Sequence, residues 1–387
     1  MAVKTWTLTD VEQDIFVDQI TLGPEQVGGS ARGYSVTKRV LRGGLRDGVD
    51  VIEVHNGRCR FVVIPTRGMN LWRAEMGDVQ LGWQSPVKGP VHPKFVPLWD
   101  GTGIGWLNGF DELLAHCGLE SNGAPEFSPS GSLLYPLHGK VGNIPAQKVK
   151  VSIDGESGEI AVTGVVEEMR LFGNILRMTS TYRTKIGEPG VTITDVVSNP
   201  SAQPSELELL YHINMGMPLL GDGAKITLPV KKLAPHNAAA VQNLPQWNTY
   251  GPEGSIVEVV YCCEPQADAQ GKVSVLLENA AGNQGLNIQF NKQQLPYFTL
   301  WKNLQAASQG YVSGLEPTIN FPNQRSFEKA KGRVAVLAPG ESRTFELTLH
   351  ALGDAQSIAD VKKSIVAIQG NTKPEILSKQ NPEWSPA

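Results

Sequence analysis

The sequence predicts an all-β protein, a large sandwich or barrel with a few short helices. Short apolar or alternating runs recur along the chain, and Gly, Pro and Asn turn signals separate them at regular spacing. Only two stretches carry a helical pattern, and the alternating βα units of a parallel sheet are not seen.

The elements follow in chain order. Val51 to Val54, then Asn56-Gly57, then Arg58 to Ile64 reads as a hairpin, because Asn-Gly supplies the positive φ values of a two-residue turn. Met76-Gly77-Asp78 is a second turn, leading into Val79 to Trp83. Lys148 to Ile153 alternates, turns at Asp154-Gly155 and resumes at Glu159 to Thr163. Leu176 to Thr184 and Val191 to Val197 repeat the pattern around Gly187-Glu188-Pro189-Gly190. Gly332 to Leu337 and Arg343 to Leu349 close it around Pro339-Gly340. Phe110 to His116 is expected as one short helix. Ser357 to Ile368 has apolar spacing of three and four, which suits an amphipathic helix with Ser357 near its cap. The polar, Pro-containing tail from Thr372 is expected to be loose or laid over the surface. With no repeat and no linker, residues 1–387 read as one domain, with a core at about 43–352 and with 1–42 and 353–387 as decorations.

At 387 residues, 41% hydrophobic and 19% charged, the chain is globular and not a long disordered one. A net charge of -4, with acids and bases interleaved, leaves no electrostatic footprint for nucleic acid and fits a neutral substrate better than a polyanionic partner. Cys59, Cys117, Cys262 and Cys263 resemble no disulfide framework and are expected as buried, reduced thiols. The N-terminal residues hold no apolar stretch long enough for a signal peptide, and no segment approaches the about 20 apolar residues of a membrane span. A soluble, cytoplasmic protein is expected.

Three well-separated segments each hold one ionisable residue in an apolar or Gly/Pro-bounded run: Leu137-His138-Gly139, Tyr211-His212-Ile213-Asn214 and Gly314-Leu315-Glu316-Pro317. Two imidazoles and a carboxylate are the minimum for moving protons on and off a neutral, oxygen-rich substrate near neutral pH. Pro317 holds Glu316 extended, which suits a cavity mouth, although a surface loop accounts for it too. The neighbours of His212 indicate a buried strand, where both ring nitrogens need partners. A packed structural histidine meets that condition equally well. An isolated His-Gly such as His138-Gly139 is a weak signal, although glycine there permits close backbone approach to a ligand. Two histidines and a carboxylate also make a common metal set, but their wide separation in sequence weighs against it, and no metal or cofactor is expected.

In order and setting these segments resemble the aldose 1-epimerase (galactose mutarotase-like) family, over roughly 43–352. Ile193 to Asn199 and Leu295 to Asn303 resemble the family strands that precede its two catalytic motifs. The run 105–123, with Gly82-Trp83-Gln84-Ser85-Pro86, resembles an uncharacterised, aldose-epimerase-related subfamily. The resemblance implies a galactose-mutarotase-like β-sandwich, or supersandwich. It implies Glu316 as general base, His212 as general acid with Asn214 two positions on, and His138 as a sugar-orienting residue. Base and acid would act from opposite sides of the sugar ring, opening and reclosing it to exchange anomers. Arg67 resembles an Arg-Gly segment of an epimerase-like subfamily, where its fork of donors suits sugar hydroxyls; bracing of loop carbonyls is the alternative. Trp106, like Trp83, is a candidate to stack on a sugar face or to pack in the core. Asn108 and Asp111 are candidate hydroxyl ligands, and Lys302 joins Arg67 as a candidate substrate contact.

Two departures stand out. Galactose mutarotases carry an Asn-Arg pair before the His-Gly loop, where this chain reads Cys117 to Asn122. Their sugar-binding aspartate has only Asp222 as a poorly fitting counterpart. The proton-transfer pair carries over, and the hydroxyl-reading shell does not. The expected function is therefore a cofactor-independent isomerase of a small carbohydrate. The alternatives are another sugar epimerase, isomerase or lyase on the same scaffold, or a non-catalytic carbohydrate-binding protein. No nucleic-acid or membrane partner is expected, and monomer or homodimer stays open.

Overall fold

The structure, a computed structural model, describes residues 3–386. Two large sheets of ten and fourteen strands face each other, antiparallel except for one short parallel pairing at an edge. Their alternating strands direct one face inward. Glu159–Met169 buries every second residue, including Ile160, Val162 and Val166, against the facing sheet. Each fully buried aliphatic side chain contributes about 1.5–3 kcal/mol, and the inner faces hold dozens of them in one contiguous core. Polar bridges cross this core as well: Asp195 Oδ2, from the ten-stranded sheet, accepts from Tyr211 Oη at 2.7 Å and lies 3.0 Å from His116 Nε2 in the other, and Tyr182 Oη donates to Met69 O at 2.6 Å.

The expected hairpin is present, but its two-residue turn is Gly57-Arg58, not Asn56-Gly57: Asn56 N still donates to Cys59 O at 2.9 Å, and only Gly57, at φ 90°, takes the positive φ expected of both. Asn56 does more than turn the chain. Its Oδ1 accepts from the backbone of Arg58 and Cys59, and its Nδ2 donates to Thr184 Oγ1 and Lys185 O in the opposite sheet. Residues 4–40 supply strands to both sheets: Lys4–Asp10 pairs with Lys148–Ile153, while Ile20–Leu22 and Ser35–Val40 extend the other.

Phe110 to His116 does not form a helix. Gly105–Gly109 is a 3-10 turn, and Leu114–Leu119 is a strand paired with Ser205–Gly216. Every residue of Leu114–Leu119 is buried. Apolar residues covered on both faces show no alternation, so period alone does not separate strand from helix. Of the closing run from Gly332, only Ala335–Leu337 is a strand, and Gly332 follows an unexpected helix at Arg325–Ala330. The amphipathic helix is Ala355–Gln369. Its cap is Asp354, whose carboxylate accepts from Ser357 N at 2.8 Å, and Ile358 and Ile365 face Leu276. The tail is laid over the surface: Glu375–Ile376 pairs with Val230–Pro235, and Trp384 packs on Phe321. All four cysteines are buried and unpaired. No helix among the described residues is long and apolar enough to cross a membrane.

Candidate functional site

Ser205–Gly216, Tyr297–Leu304 and Val312–Thr318 are neighbouring central strands of the fourteen-stranded sheet. Leu209, Tyr211, Ile213, Leu300 and Leu315 enter the core, so the alternate residues point to the outer face. Register then aligns the site. Leu210 pairs with Thr318 and Asn214 with Gly314, which sets His212 opposite Glu316, while Glu316 pairs with Thr299 on its other side. Thr299, Glu316, His212 and Ala115 thus form one row across the sheet. Pro317 lies within its strand, in keeping with the extended conformation expected of Glu316.

His212 Nε2 lies 3.3 Å from Glu316 Oε1, and both residues are buried. The approach is off the hydrogen-bond angle, so Oε1 has no hydrogen-bond partner among the described residues. The tautomer of His212 follows from its other side. Asn214 Nδ2 donates to Glu112 O and His212 O, both at 3.0 Å, so its Oδ1 must face the ring and accept from Nδ1 at 2.6 Å. Nε2 is left toward Glu316. Burial pushes the Glu316 carboxyl well above the carboxylate range. Burial, then the His138 ring beside it, pushes His212 well below the usual imidazole range. Both shifts favour the uncharged form of the pair, with one proton between the carboxyl and Nε2. The carboxyl and the imidazole stand side by side in adjacent strands, 3.3 Å apart, which leaves no room for the sugar ring that the sequence reading set between them. Gly314 makes the approach possible, since a Cβ there would lie 2.2 Å from Glu316 Oε1 and 2.9 Å from His212 Cε1.

His138 enters from a loop at φ 57°, with its ring centroid 5.1 Å from that of His212. The following Gly139 is required by contact: a Cβ would sit 2.0 Å from Ser121 O. His138 Nδ1 donates to Asn122 O at 2.9 Å, and burial lowers the ring to about 4, leaving it neutral with Nε2 as an acceptor. Behind it Glu208, pushed up to about 8 by burial, accepts from Asn122 N and Asn320 Nδ2. The segment that departs from the galactose mutarotases thus holds His138 in place.

The row floors a cleft of about 680 Å³ walled by Trp83, Trp106, Trp301 and Phe110. Trp83 Nε1 donates to Glu112 O and Trp301 Nε1 to Glu258 Oε1, which leaves ring surface as the main contact these indoles offer. His236, Asn237, Asn303 and Gln309 add polar groups, and no lysine or arginine among the described residues lines the cleft. A smaller hollow of about 460 Å³ around Tyr297, Arg333 and Phe345 has no histidine or carboxylate in its lining.

Of the expected site residues, His138, His212, Glu316 and Trp106 line the cleft, and five do not. Arg67 is buried, pairing with Glu112 Oε1 at 2.6 Å and donating to Val91 O at 3.0 Å, so bracing is its role. Asp111 is buried too, accepting from Trp72 Nε1 at 2.9 Å, with burial and then Glu112 raising its carboxyl to about 8. Lys302 projects from the core face of its strand, opposite Trp301 and Asn303. It donates to Gln246 O and Thr249 O, and burial lowers it to about 7. Asn108 is exposed on the 3-10 turn, outside the lining to which Trp106 and Leu107 contribute. Asn214 contacts His212 and does not reach the cleft surface.

The sequence reading missed Thr299, Trp301 and Glu258 in the lining, and Glu112 behind it. The alternation Thr299, Trp301, Asn303 within a predicted strand was the available signal for the first two. Among the described residues no three His, Cys, Asp or Glu side chains cluster to hold a metal ion.

The DUF4432 family, a domain of unknown function, matches residues 46–351. A crystal structure from Klebsiella pneumoniae subsp. pneumoniae, described as a candidate aldose 1-epimerase, is 35% identical. It superposes with a TM-score of 0.95 over 98% of this chain and 99% of that one. A galactose mutarotase-like protein from Clostridium acetobutylicum shares the fold at 15% identity and a TM-score of 0.57, over 82% of this chain and 98% of that one. Galactose 1-epimerase from Lactobacillus acidophilus does so at 10% identity and a TM-score of 0.54, over the same shares, 82% and 98%. No curated protein matches the sequence. The matched segment runs from the first hairpin to the last long strand and includes every residue of the Thr299–Glu316–His212 row, so the chain belongs to the DUF4432 family, built on the galactose-mutarotase-like β-sandwich.

Proposed function

We propose that this protein is an aldose 1-epimerase acting on an uncharged sugar, with Glu316 as general base and His212 as general acid. The observation that carries this reading is the buried, side-by-side approach of His212 Nε2 and Glu316 Oε1 at the cleft floor. In a cyclic aldose the anomeric hydroxyl and the ring oxygen hang on one carbon, so the groups serving them must be neighbours. With the shared proton on Nε2, the Glu316 carboxylate takes the hydroxyl proton, Nε2–H protonates the ring oxygen, and the bond from C1 to that oxygen breaks. Rotation about C1–C2 turns the open-chain aldehyde, and the reverse transfers close the other anomer. Each transfer is worth about 10²–10⁴-fold. The Nε2 of His138 accepts from a sugar hydroxyl, and the indoles stack on the sugar's apolar face.

The lining supports an uncharged substrate. A phosphate or carboxylate would lose its water there without meeting a cation, beside Glu258 and Glu316. The candidate aldose 1-epimerase at 35% identity supports the reaction class. A protein that only binds sugar has no use for an unpartnered buried carboxyl beside an imidazole. The test is anomer exchange by saturation-transfer NMR over a panel of neutral aldoses. Glu316→Gln should slow exchange by about 10²-fold or more with an unchanged thermal midpoint. A variant as fast as the wild type removes Glu316 from the mechanism.

A further inference from the structure

Thr299, Glu316 and His212 lie in that order in one cross-strand row, and all three line the cleft. Among the described cleft-lining residues, only Thr299, Asn303 and Glu316 hold a buried polar side-chain atom with no hydrogen-bond partner. Asn303 stands further along its strand, opposite Val312, away from the reacting pair. Thr299 is fully buried, directly beside Glu316. A buried hydroxyl left unpaired keeps the full cost of its lost hydration, so a ligand that supplies the missing partner is favoured at this position.

The stereochemistry of an aldose says which group that is. The anomeric carbon bears its hydroxyl, the ring oxygen and C2. In D-glucose and D-galactose the equatorial hydroxyl on C2 is anti to the ring oxygen across C1–C2, so with Glu316 at the anomeric hydroxyl and His212 at the ring oxygen it lies on the side away from His212, toward the strand beyond Glu316. That strand, roughly 4.8 Å away, carries Thr299. Resting on the anomer-exchange reading above, we propose that Thr299 Oγ1 recognises the hydroxyl at C2, so that the substrate class is an uncharged aldose carrying that hydroxyl. Threonine suits this role because its hydroxyl both donates and accepts. The competing account is a packed β-branched side chain, for which valine would serve as well.

The experiment measures kcat/KM for anomer exchange with D-glucose, D-galactose and their 2-deoxy counterparts, in the wild type, Thr299→Val and Thr299→Ser. The wild type should prefer the 2-hydroxy sugar by about tenfold or more. Thr299→Val should bring that ratio close to one by lowering the rate on the 2-hydroxy sugar, and Thr299→Ser should keep it. The inference is overturned by a wild type that turns over both members of a pair equally, or by a Thr299→Val that discriminates as before. A wild type inert on all four sugars overturns the anomer-exchange reading, and the role of Thr299 with it. Thermal midpoints of the two variants separate loss of recognition from loss of fold.

Discussion

His212 and Glu316 face each other across one strand-to-strand step, 3.3 Å apart, with no side chain at position 314 to separate them. The glycine, the Asn214 amide that aims the imidazole, and the Glu112 carbonyl that aims the amide form one chain of constraint. Glu112 also receives Arg67 and Asn70, so residues that never touch the cleft hold its floor.

Gly314→Ala tests that spacing. The new methyl would occupy the position of Glu316 Oε1, and the carboxylate must move. A displacement of about 1 Å at reacting groups costs on the order of 10²-fold, so kcat should fall by that factor. Glu316 is a flexible side chain and alanine is compatible with a strand, so the thermal midpoint should move little. Unimpaired kcat in this variant would mean that the close approach is not needed.

The pH dependence should show an acid limb near about 4, set by His138. Protonation there adds a positive charge beside His212 and removes the Nε2 acceptor, so activity is retained above that pH and lost below it. Between there and the deprotonation of the Glu316 pair, kcat/KM should be flat. Replacing His138 with Gln, which cannot titrate, should abolish the acid limb while lowering kcat/KM. An acid limb that persists unchanged assigns it to another group.

Trp384→Ala tests the tail. Trp384 is 8% exposed, packs on Phe321 and Tyr297, and its carbonyl accepts from Asn323 Nδ2. Truncating a buried tryptophan costs about 3 kcal/mol. Urea unfolding should report a loss of that size. The effect should extend to the cleft, because Asn323 Oδ1 also pairs with the lining residue His236 at 2.8 Å. A loss below about 0.5 kcal/mol, the usual range of surface substitutions, would mean that the tail is only laid on the surface.

The amino-acid sequence alone determined the strand-rich class, a hairpin just after Asn56, the helix at Ala355–Gln369 and the choice of His138, His212 and Glu316 as residues that share a cleft. These are local matters of turn chemistry, periodicity and proline restriction, together with motif resemblance. Only the tertiary structure decided which face of each strand looks into the cleft. Lys302 and Trp301 are adjacent in a strand, and alternation says that they point opposite ways without saying which way is out. Arg67, Asp111 and Lys302 are polar residues that suit sugar binding by chemistry, yet their partners are buried carbonyls, an indole and a carboxylate supplied by distant segments. The segment 110–116 went the same way: a strand covered on both faces by chain far away in sequence shows no period of its own. Register between Ser205–Gly216 and Val312–Thr318 is a long-range pairing, and it alone set a carboxyl beside an imidazole.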